Sequence, residues 1–155
     1  MATLSEQRYL QCPYVRAKAY LAESLEATAS RGSEQTLRLR VTVREHDLEK
    51  DVLVRYAKGS DPMHFDEPWK VHWTPAQGGP FPDFDGALTV RAAEEYSESI
   101  LELQGEYTPP LGQPGKIFDA VVGHRIASNT AQTLLKTIGD EMESRYRAEE
   151  AKKGV

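Results

Sequence analysis

The last quarter of the chain constrains the fold most, because it predicts one long helix. Between Lys116 and Arg147 there is no proline, and Gly123 and Gly139 are the only glycines. At 100° per residue, one side of this helix carries a continuous stripe, formed by Ile117, Val121, His124, Ser128, Ala131, Leu135, Ile138 and Met142. A helix over residues 115–150 is about 50 Å long, whereas six strands span only about 29 Å. We therefore expect the helix to cross its sheet diagonally or to overhang it.

The first half of this helix also carries apolar side chains on its back, namely Phe118, Val122 and Ile126. A helix that is apolar on all sides is covered on all sides. We therefore expect a second layer or a partner chain there, and a homodimer is one candidate. The end of the helix is mostly charged, which places the overhang there and predicts a frayed tail over residues 148–155.

Length and composition narrow the classes of protein. A chain of 155 residues predicts a single domain over residues 1–155. A formal net charge of −5 argues against a nucleic-acid partner. The single cysteine, Cys12, excludes an intramolecular disulfide and fits a reducing compartment. Apolar runs fall short of the ~20 residues that span a bilayer, and the N-terminus does not resemble a signal peptide. We expect a cytoplasmic protein without membrane insertion.

Before the long helix, the spacing at which apolar residues recur changes from 3.6 residues, which indicates a helix, to two residues, which indicates strands. Residues 16–29 predict a short helix that ends near Gly32. Alternation of apolar and polar residues then predicts strands at 37–43, 52–56, 69–74, 88–93 and 101–107. Residues 9–15 predict either a further short strand or an extended lead-in, and turns are expected at 46–49 and 94–97, with longer loops over 58–68 and 75–86. This pattern indicates an antiparallel sheet with one face in water.

The apolar face of the predicted sheet is rich in rings, from Tyr56, Trp69, Trp73 and Tyr107. Buried tryptophan and tyrosine need partners for their N–H and O–H groups, which favours a partly polar cavity over a dry core. Gly86 and Gly105 fall at strand positions, where a missing side chain predicts a bend or a bulge. A sheet that bends around a helix leaves space between the two.

The layout of a short helix, an antiparallel meander and a long final helix resembles the helix-grip fold of the START/SRPBCC superfamily. The resemblance rests on Leu103-x-Gly105-x-Tyr107-x-Pro109-Pro110-Leu111-Gly112-x-x-Gly115, on Asp119-x-x-x-Gly123-x-Arg125-Ile126-Ala127 and on Pro82-x-Phe84-x-Gly86-x-Leu88. It implies an α+β fold with a curved antiparallel sheet of about six strands wrapped around the C-terminal helix. It also implies a cavity for a hydrophobic ligand under that helix. Enzymatic members use different pocket residues in each branch, so no catalytic residue carries over, and we expect no cofactor.

The residues that we predict to line the cavity are Tyr56, Trp73, Val90, Leu103, Tyr107, Val121 and His124, with Arg125 at its rim. His124 lies on the helix stripe, where it would contact a polar ligand group or act as a general base. The alternative is a core histidine bonded to a carbonyl or a tyrosine. Arg125 would pair with a ligand carboxylate or, alternatively, with an acid of its own domain.

Other clusters of reactive residues have simpler explanations. The segment Asp61-x-x-His64-x-Asp66-Glu67 offers ligands for a hard metal, but no second cluster follows, so we expect a solvated loop and no metal. Asp83 and Asp85 are interpreted as loop residues with turn chemistry. Cys12 has no histidine–acid partners at a recognisable spacing, so nucleophilic catalysis has no support.

The outer face of the predicted sheet is basic, with Arg38, Arg40, Arg44, Arg55, Lys70 and Arg91. Because the rings face the other way, we expect a charge ladder that includes Glu102 and Glu106 rather than an RNA site. Three functions stay open. The first is binding of a small hydrophobic or lipid-like molecule, and the second is a cyclase or hydratase that uses His124 with a carboxylate such as Asp83. The third is a filled-core interaction module.

Overall fold

The computed structural model describes residues 2–30, 34–43, 46–58, 68–76, 82–108 and 120–153. Its elements follow the order β1 (Ala2–Leu10), α1 (Tyr14–Ser30), β2 (Gln35–Val43), β3 (His46–Lys58), β4 (Trp69–Pro75), β5 (Asp83–Ala92), β6 (Ser99–Thr108) and α2 (Ala120–Lys153). Neither of these two helices has the length and apolar character needed to cross a membrane.

The described strands form one antiparallel sheet in the order β1-β6-β5-β4-β3-β2. α2 contacts both edge strands, β1 and β2, as well as β6. A single helix can touch both edges of a six-stranded sheet only if the sheet curls around it. The predicted helix-grip architecture, a curved antiparallel sheet around a long C-terminal helix, is therefore confirmed.

Strand β1 is longer than the sequence predicts. It begins at Ala2 and pairs along its whole length with β6, whereas we expected at most a short strand over residues 9–15. The inner face of β1 carries half-buried Glu6 and Arg8 between buried Leu4 and Leu10. These two charged side chains interrupt the alternation of apolar and polar residues, and they bond to α2 instead of facing water.

Two predicted turns or loops are parts of strands. β3 begins at His46, where we predicted a turn over 46–49, and β5 begins at Asp83, inside the predicted loop over 75–86. Asp83 and Asp85 are exposed on the outer face of β5, while Phe84 between them is buried. Asp85 Oδ1 lies 2.6 Å from His72 Nδ1 on the neighbouring strand. Turn chemistry is therefore the wrong explanation for these aspartates.

Gly86 and Gly105 lie directly opposite each other in an uninterrupted register, so of the bend or bulge that we predict here, the bulge is absent from this strand pair. A Cβ atom at either position would collide with the ring of Phe84 and with backbone atoms of the paired strand. Phe84 in turn stacks on Trp73, with ring centroids 4.1 Å apart and planes inclined by 15°. The two glycines thus leave room for an aromatic ring to lie along the sheet.

The C-terminal part of α2 packs over α1. Glu149 accepts hydrogen bonds from Tyr20 and Arg16, and Arg145 pairs with Glu23. The charges of this end, where we predict an overhang beyond the sheet, are therefore partnered by α1. The helix continues to Lys153, which includes most of the segment in which we expect fraying.

The outer face of the sheet carries the predicted charge ladder. Arg38 pairs with Asp51, Arg40 with Glu49, Arg55 with Glu34 and Arg91 with Glu102. Arg44 lies outside the described residues.

The structure corrects part of the prediction that the back of α2 is apolar and faces a partner. Ile126 is fully buried in the protein's own core, so it is not available to a partner chain. Phe118 and the side chain of Val122 lie outside the described part of the chain.

Candidate functional site

A row of aromatic rings crosses the inner face of the sheet. The register places Trp73 of β4 opposite Phe84 of β5, and Phe84 opposite Tyr107 of β6. All three side chains are buried. The adjacent row contains Gly86 and Gly105 between buried Val71 of β4 and Leu4 of β1, and the ring of Phe84 lies over the two glycines.

Above this sheet, the core-facing side of α2 carries mostly small residues in its first half, apart from buried Ile126, and large ones in its second. Its core-facing stripe begins with Gly123, Ala127, Thr130 and Ala131, and continues with Leu134, Leu135, Ile138 and Met142. Gly123 is buried, yet a Cβ atom built there would meet no atom of the described residues within 4 Å. The described residues therefore leave open space beneath the first turns of α2.

Tyr107 and His124 connect the sheet to α2. The Tyr107 hydroxyl lies 3.2 Å from His124 Nδ1, and the two ring centroids are 5.9 Å apart. Burial raises the pKa of Tyr107. The imidazole of His124 is exposed, so the prediction that it lies in the centre of the buried stripe is wrong. The buried stripe runs through Gly123 and Ala127, and His124 is about 100° round the helix from Gly123.

The indole N–H of Trp73 differs from the polar groups of Tyr56 and Thr130 in its hydrogen bonding. Its Nε1 has no hydrogen-bond partner among the described residues, although the side chain is fully buried. By contrast, the Tyr56 hydroxyl donates to Gln35 Oε1 at 2.6 Å, and Thr130 donates to the carbonyl of Ile126 at 2.7 Å. Burial raises the pKa of Tyr56 as well.

The structure brings together only some of the predicted lining residues. Trp73, Tyr107 and His124 lie at one end of the inner face. Leu103 and Val90 are buried further along the sheet. At ~3.4 Å per residue, Leu103 is about 14 Å from Tyr107 along β6, and Val90 is about 20 Å from Phe84 along β5.

Of the remaining predicted residues, Tyr56 is buried on β3 opposite Val71 of β4. Arg125 is exposed, and the side chain of Val121 and the segment 61–67 lie outside the described residues. Asp83 points to the outer face, away from α2. His124 and Asp83 are therefore not paired as a general base and acid would be.

Two residues of the site were not predicted. Phe84 belongs to a sequence motif, but the loop predicted around its neighbouring aspartates hides the alternation of the strand. Gly123 also belongs to a motif, but the motif does not indicate that the described residues leave the position beside it without a neighbour. The sequence signal for it is the run of small residues at positions 123, 127, 130 and 131.

The described residues also form an open groove of about 700 Å³ at the other end of the sheet. It is lined by Glu23, Glu26, Ala27, Ala29, Lys58 and Trp69. Trp69 lies four residues from Trp73, about 14 Å along β4. None of the predicted lining residues borders this groove, and Glu26 is within 3.6 Å of Lys58.

Comparison with known proteins gives matches only among solved structures. No protein-family model matches the chain, and no curated protein matches it. A protein from Thermus thermophilus superposes with a TM-score of 0.51 at 13% identity, covering 93% of this chain and 99% of that one. The Zhui aromatase/cyclase from Streptomyces sp. R1128 gives a TM-score of 0.50 at 14% identity, with 93% and 94% covered.

A START superfamily protein from Mycobacterium smegmatis is also similar, with a TM-score of 0.47 at 15% identity over 94% of this chain and 97% of that one. At such identities the likeness concerns the fold. The strand order and the helix that touches both sheet edges agree with it. The chain therefore has the helix-grip fold.

Proposed function

We propose that this protein binds a small hydrophobic molecule between the aromatic row of the sheet and the first half of α2. The observation that carries the proposal is the open space at Gly123. This glycine is buried on the core-facing stripe of α2, but no described atom packs where its side chain would be. An apolar guest beside this core-facing position would remove its surface from water, which supports an apolar ligand.

The opposite wall supports the same ligand chemistry. Trp73, Phe84 and Tyr107 present buried rings on three adjacent strands. Burial of apolar surface stabilises a complex by about 25 cal/mol per Å², and rings add specific stacking contacts. One fold neighbour is an aromatase/cyclase, which agrees with an interior that holds a small molecule.

We propose binding rather than catalysis. The cyclase or hydratase alternative needs His124 beside a carboxylate, but Asp83 is on the outer face of the sheet. His124 instead contacts the hydroxyl of buried Tyr107. We also retain the proposal of a cytoplasmic protein, which is supported by the single cysteine.

A titration with Nile red, an uncharged apolar dye, tests the proposal. We expect wild-type protein to bind the dye saturably and Gly123→Leu to bind it about tenfold more weakly, equivalent to ~1.4 kcal/mol. Thr137→Leu adds the same side chain at an exposed position of α2 and serves as the matched control, with unchanged binding expected. The proposal is contradicted if the wild type shows no saturable binding, or if Gly123→Leu binds as the wild type does.

A further inference from the structure

We infer that the bound molecule is a small amphipathic acid whose carboxylate stays at the protein surface and accepts a hydrogen bond from the Nε2–H of His124. Tyr107 is the positioning residue that holds the imidazole at its other nitrogen. This inference rests on the proposed binding function and names the polar group of the ligand. It is carried by the place of His124 beside Gly123, by its contact with Tyr107 and by the charges around it.

His124 lies next to the proposed site through the chain itself. Consecutive Cα atoms are about 3.8 Å apart, so a ligand atom in contact with Gly123, at about 4 Å, lies within about 8 Å of the His124 Cα atom. At 100° per residue, Gly123 faces the core, His124 lies on the flank of α2 and Arg125 points away from the sheet. The burial of Gly123 and the exposure of the other two agree with this order. His124 is therefore placed where the apolar site meets water.

The contact with Tyr107 decides which imidazole nitrogen is available. The Tyr107 hydroxyl lies 3.2 Å from Nδ1, and Nε2 has no hydrogen-bond partner among the described residues. Burial raises the pKa of Tyr107, so its hydroxyl keeps the proton that it donates to Nδ1. An imidazole that accepts at Nδ1 carries its own proton on Nε2, and a protonated imidazole also donates there. Nε2 is therefore a donor that a ligand can use.

The first half of α2 offers this donor no acidic partner. Residues 120–139 include Arg125 and Lys136 but neither aspartate nor glutamate, although the net charge of the whole chain is −5. Asp119, directly before this segment, lies outside the described residues. The described part of α2 around His124 is thus free of negative charge.

The strands beside α2 offer no acidic partner either. Glu6 of β1 is the acid on the inner face nearest to this end of the sheet, and it accepts hydrogen bonds from Ser128 and Gln132. Glu106 precedes Tyr107 on β6 but is exposed on the outer face. Among the described residues, the Nε2–H of His124 therefore faces no carboxylate of the protein's own.

A ligand carboxylate fits a donor at this place. Hydrogen bonds to ionised acceptors are roughly twice as strong as those between neutral groups. Because His124 is exposed, a carboxylate there keeps part of its hydration and avoids the large cost of burying a charge. A molecule with an apolar body and a carboxylate at one end meets both requirements.

Three probes with the same ring system test the inference: naphthoate, methyl naphthoate and ethylnaphthalene. Each probe is titrated calorimetrically at neutral pH, and its affinity is compared between proteins, so that the hydrophobicity of the probe cancels. In His124→Phe we expect naphthoate to bind about fivefold more weakly than in the wild type. The ester should lose less, because its carbonyl accepts a weaker bond, and ethylnaphthalene should stay within about twofold. His72→Phe makes the same substitution on the outer face of β4 and should bind all three probes as the wild type does.

A second measurement separates positioning by Tyr107 from packing. In ¹⁵N-labelled protein, the nitrogen shifts of the His124 ring report which nitrogen carries the proton. The wild type should show a proton on Nε2, and naphthoate should shift this nitrogen. In Tyr107→Phe the fixed tautomer should be lost and naphthoate should bind about threefold more weakly. A tyrosine that serves packing alone would leave the ring nitrogens unchanged.

Several results overturn the inference but leave the binding function in place. These are an unchanged naphthoate affinity in His124→Phe, equal losses for all three probes, or binding of Nile red and ethylnaphthalene without naphthoate. A loss in His72→Phe or Arg125→Gln as large as in His124→Phe also overturns it, because surface charge in general would then explain the affinity. If the wild type binds neither Nile red nor any of the three probes, the binding function itself is contradicted, and the inference falls with it.

Discussion

At the scale of single residues, the four glycines among the described residues have two different roles. Gly86, Gly105 and Gly139 each make room for another side chain, because a Cβ atom there would collide with Phe84 or Arg8. A Cβ atom at Gly123 would have no described atom within 4 Å. This difference separates glycines that serve packing from the one beside which no described atom lies.

The two glycines of α2 give a matched pair of substitutions. Alanine in a helix interior is favoured over glycine by about 0.5–1 kcal/mol, so Gly123→Ala should raise the free energy of unfolding by about that amount. At Gly139 the new Cβ would lie 2.7 Å from Arg8 Nη1 and 2.9 Å from its Cζ. Gly139→Ala should therefore displace Arg8 and lower the free energy of unfolding, on the order of 1 kcal/mol. Urea denaturation of both variants measures the difference.

The control for this comparison is Arg8→Ala. In that background a Cβ atom at position 139 no longer collides with the Arg8 side chain. Gly139→Ala should then become stabilising, as at Gly123. Equal effects of the two alanines in the wild-type background would show that Arg8 does not constrain the helix at this point.

At the scale of elements, alternation in the sequence locates β2, β4 and β6 well but misplaces other boundaries. β1 is hidden because Glu6 and Arg8 point inward, where they are stabilised by α2 rather than by water. The start of β5 is hidden because Asp83 and Asp85 suggest a turn, although the outer face of a sheet accommodates them equally well. Both errors arise because the partner of a charged side chain lies far away in sequence.

The contact between β1 and α2 predicts a loss of stability in acid. Hydrogen bonds from Arg8 and then Lys136 hold the pKa of Asp140 below its usual value of 3.8. A carboxylate with a depressed pKa stabilises the fold above the unfolded-state pKa, and this stabilisation is lost as the pH falls below 3.8. Urea denaturation across this range should show a smaller fall in stability for Asp140→Asn than for the wild type. Because the pair is partly exposed, high salt should reduce the difference. An identical acid dependence of the two proteins would count against the contact.

The contact between α1 and α2 predicts a loss of stability in alkali. Burial of Tyr20, and then its hydrogen bond to Glu149, raise its pKa from 10.0 to about 12. A raised pKa means that the neutral hydroxyl stabilises the fold fully below pH 10, and that this contribution is lost as the pH rises toward 12. Tyr20→Phe should be less stable than the wild type at neutral pH and should lose less stability over this alkaline range. Parallel curves for the two proteins would exclude this role of Tyr20.

At the scale of the whole molecule, the curled sheet and α2 together define the site. The sequence predicts Trp73 and Tyr107 correctly as inward-facing rings, because each lies in a strand with regular alternation. The sequence misplaces His124, because the residues chosen as the apolar stripe decide which side of a long helix is predicted to face the core. It does not reveal that the described residues leave the position beside Gly123 without a neighbour, because this depends on tertiary packing.

Native mass spectrometry tests the central claim most directly. Purified wild-type protein and Gly123→Leu are each incubated with an organic extract of the cells that naturally produce the protein, then separated from free compounds and weighed intact. We predict that the wild type retains a small hydrophobic molecule and that Gly123→Leu, at equal thermal stability, does not. A wild type that retains nothing, or two proteins that retain the same molecule to the same extent, would contradict a binding site beneath the first turns of α2.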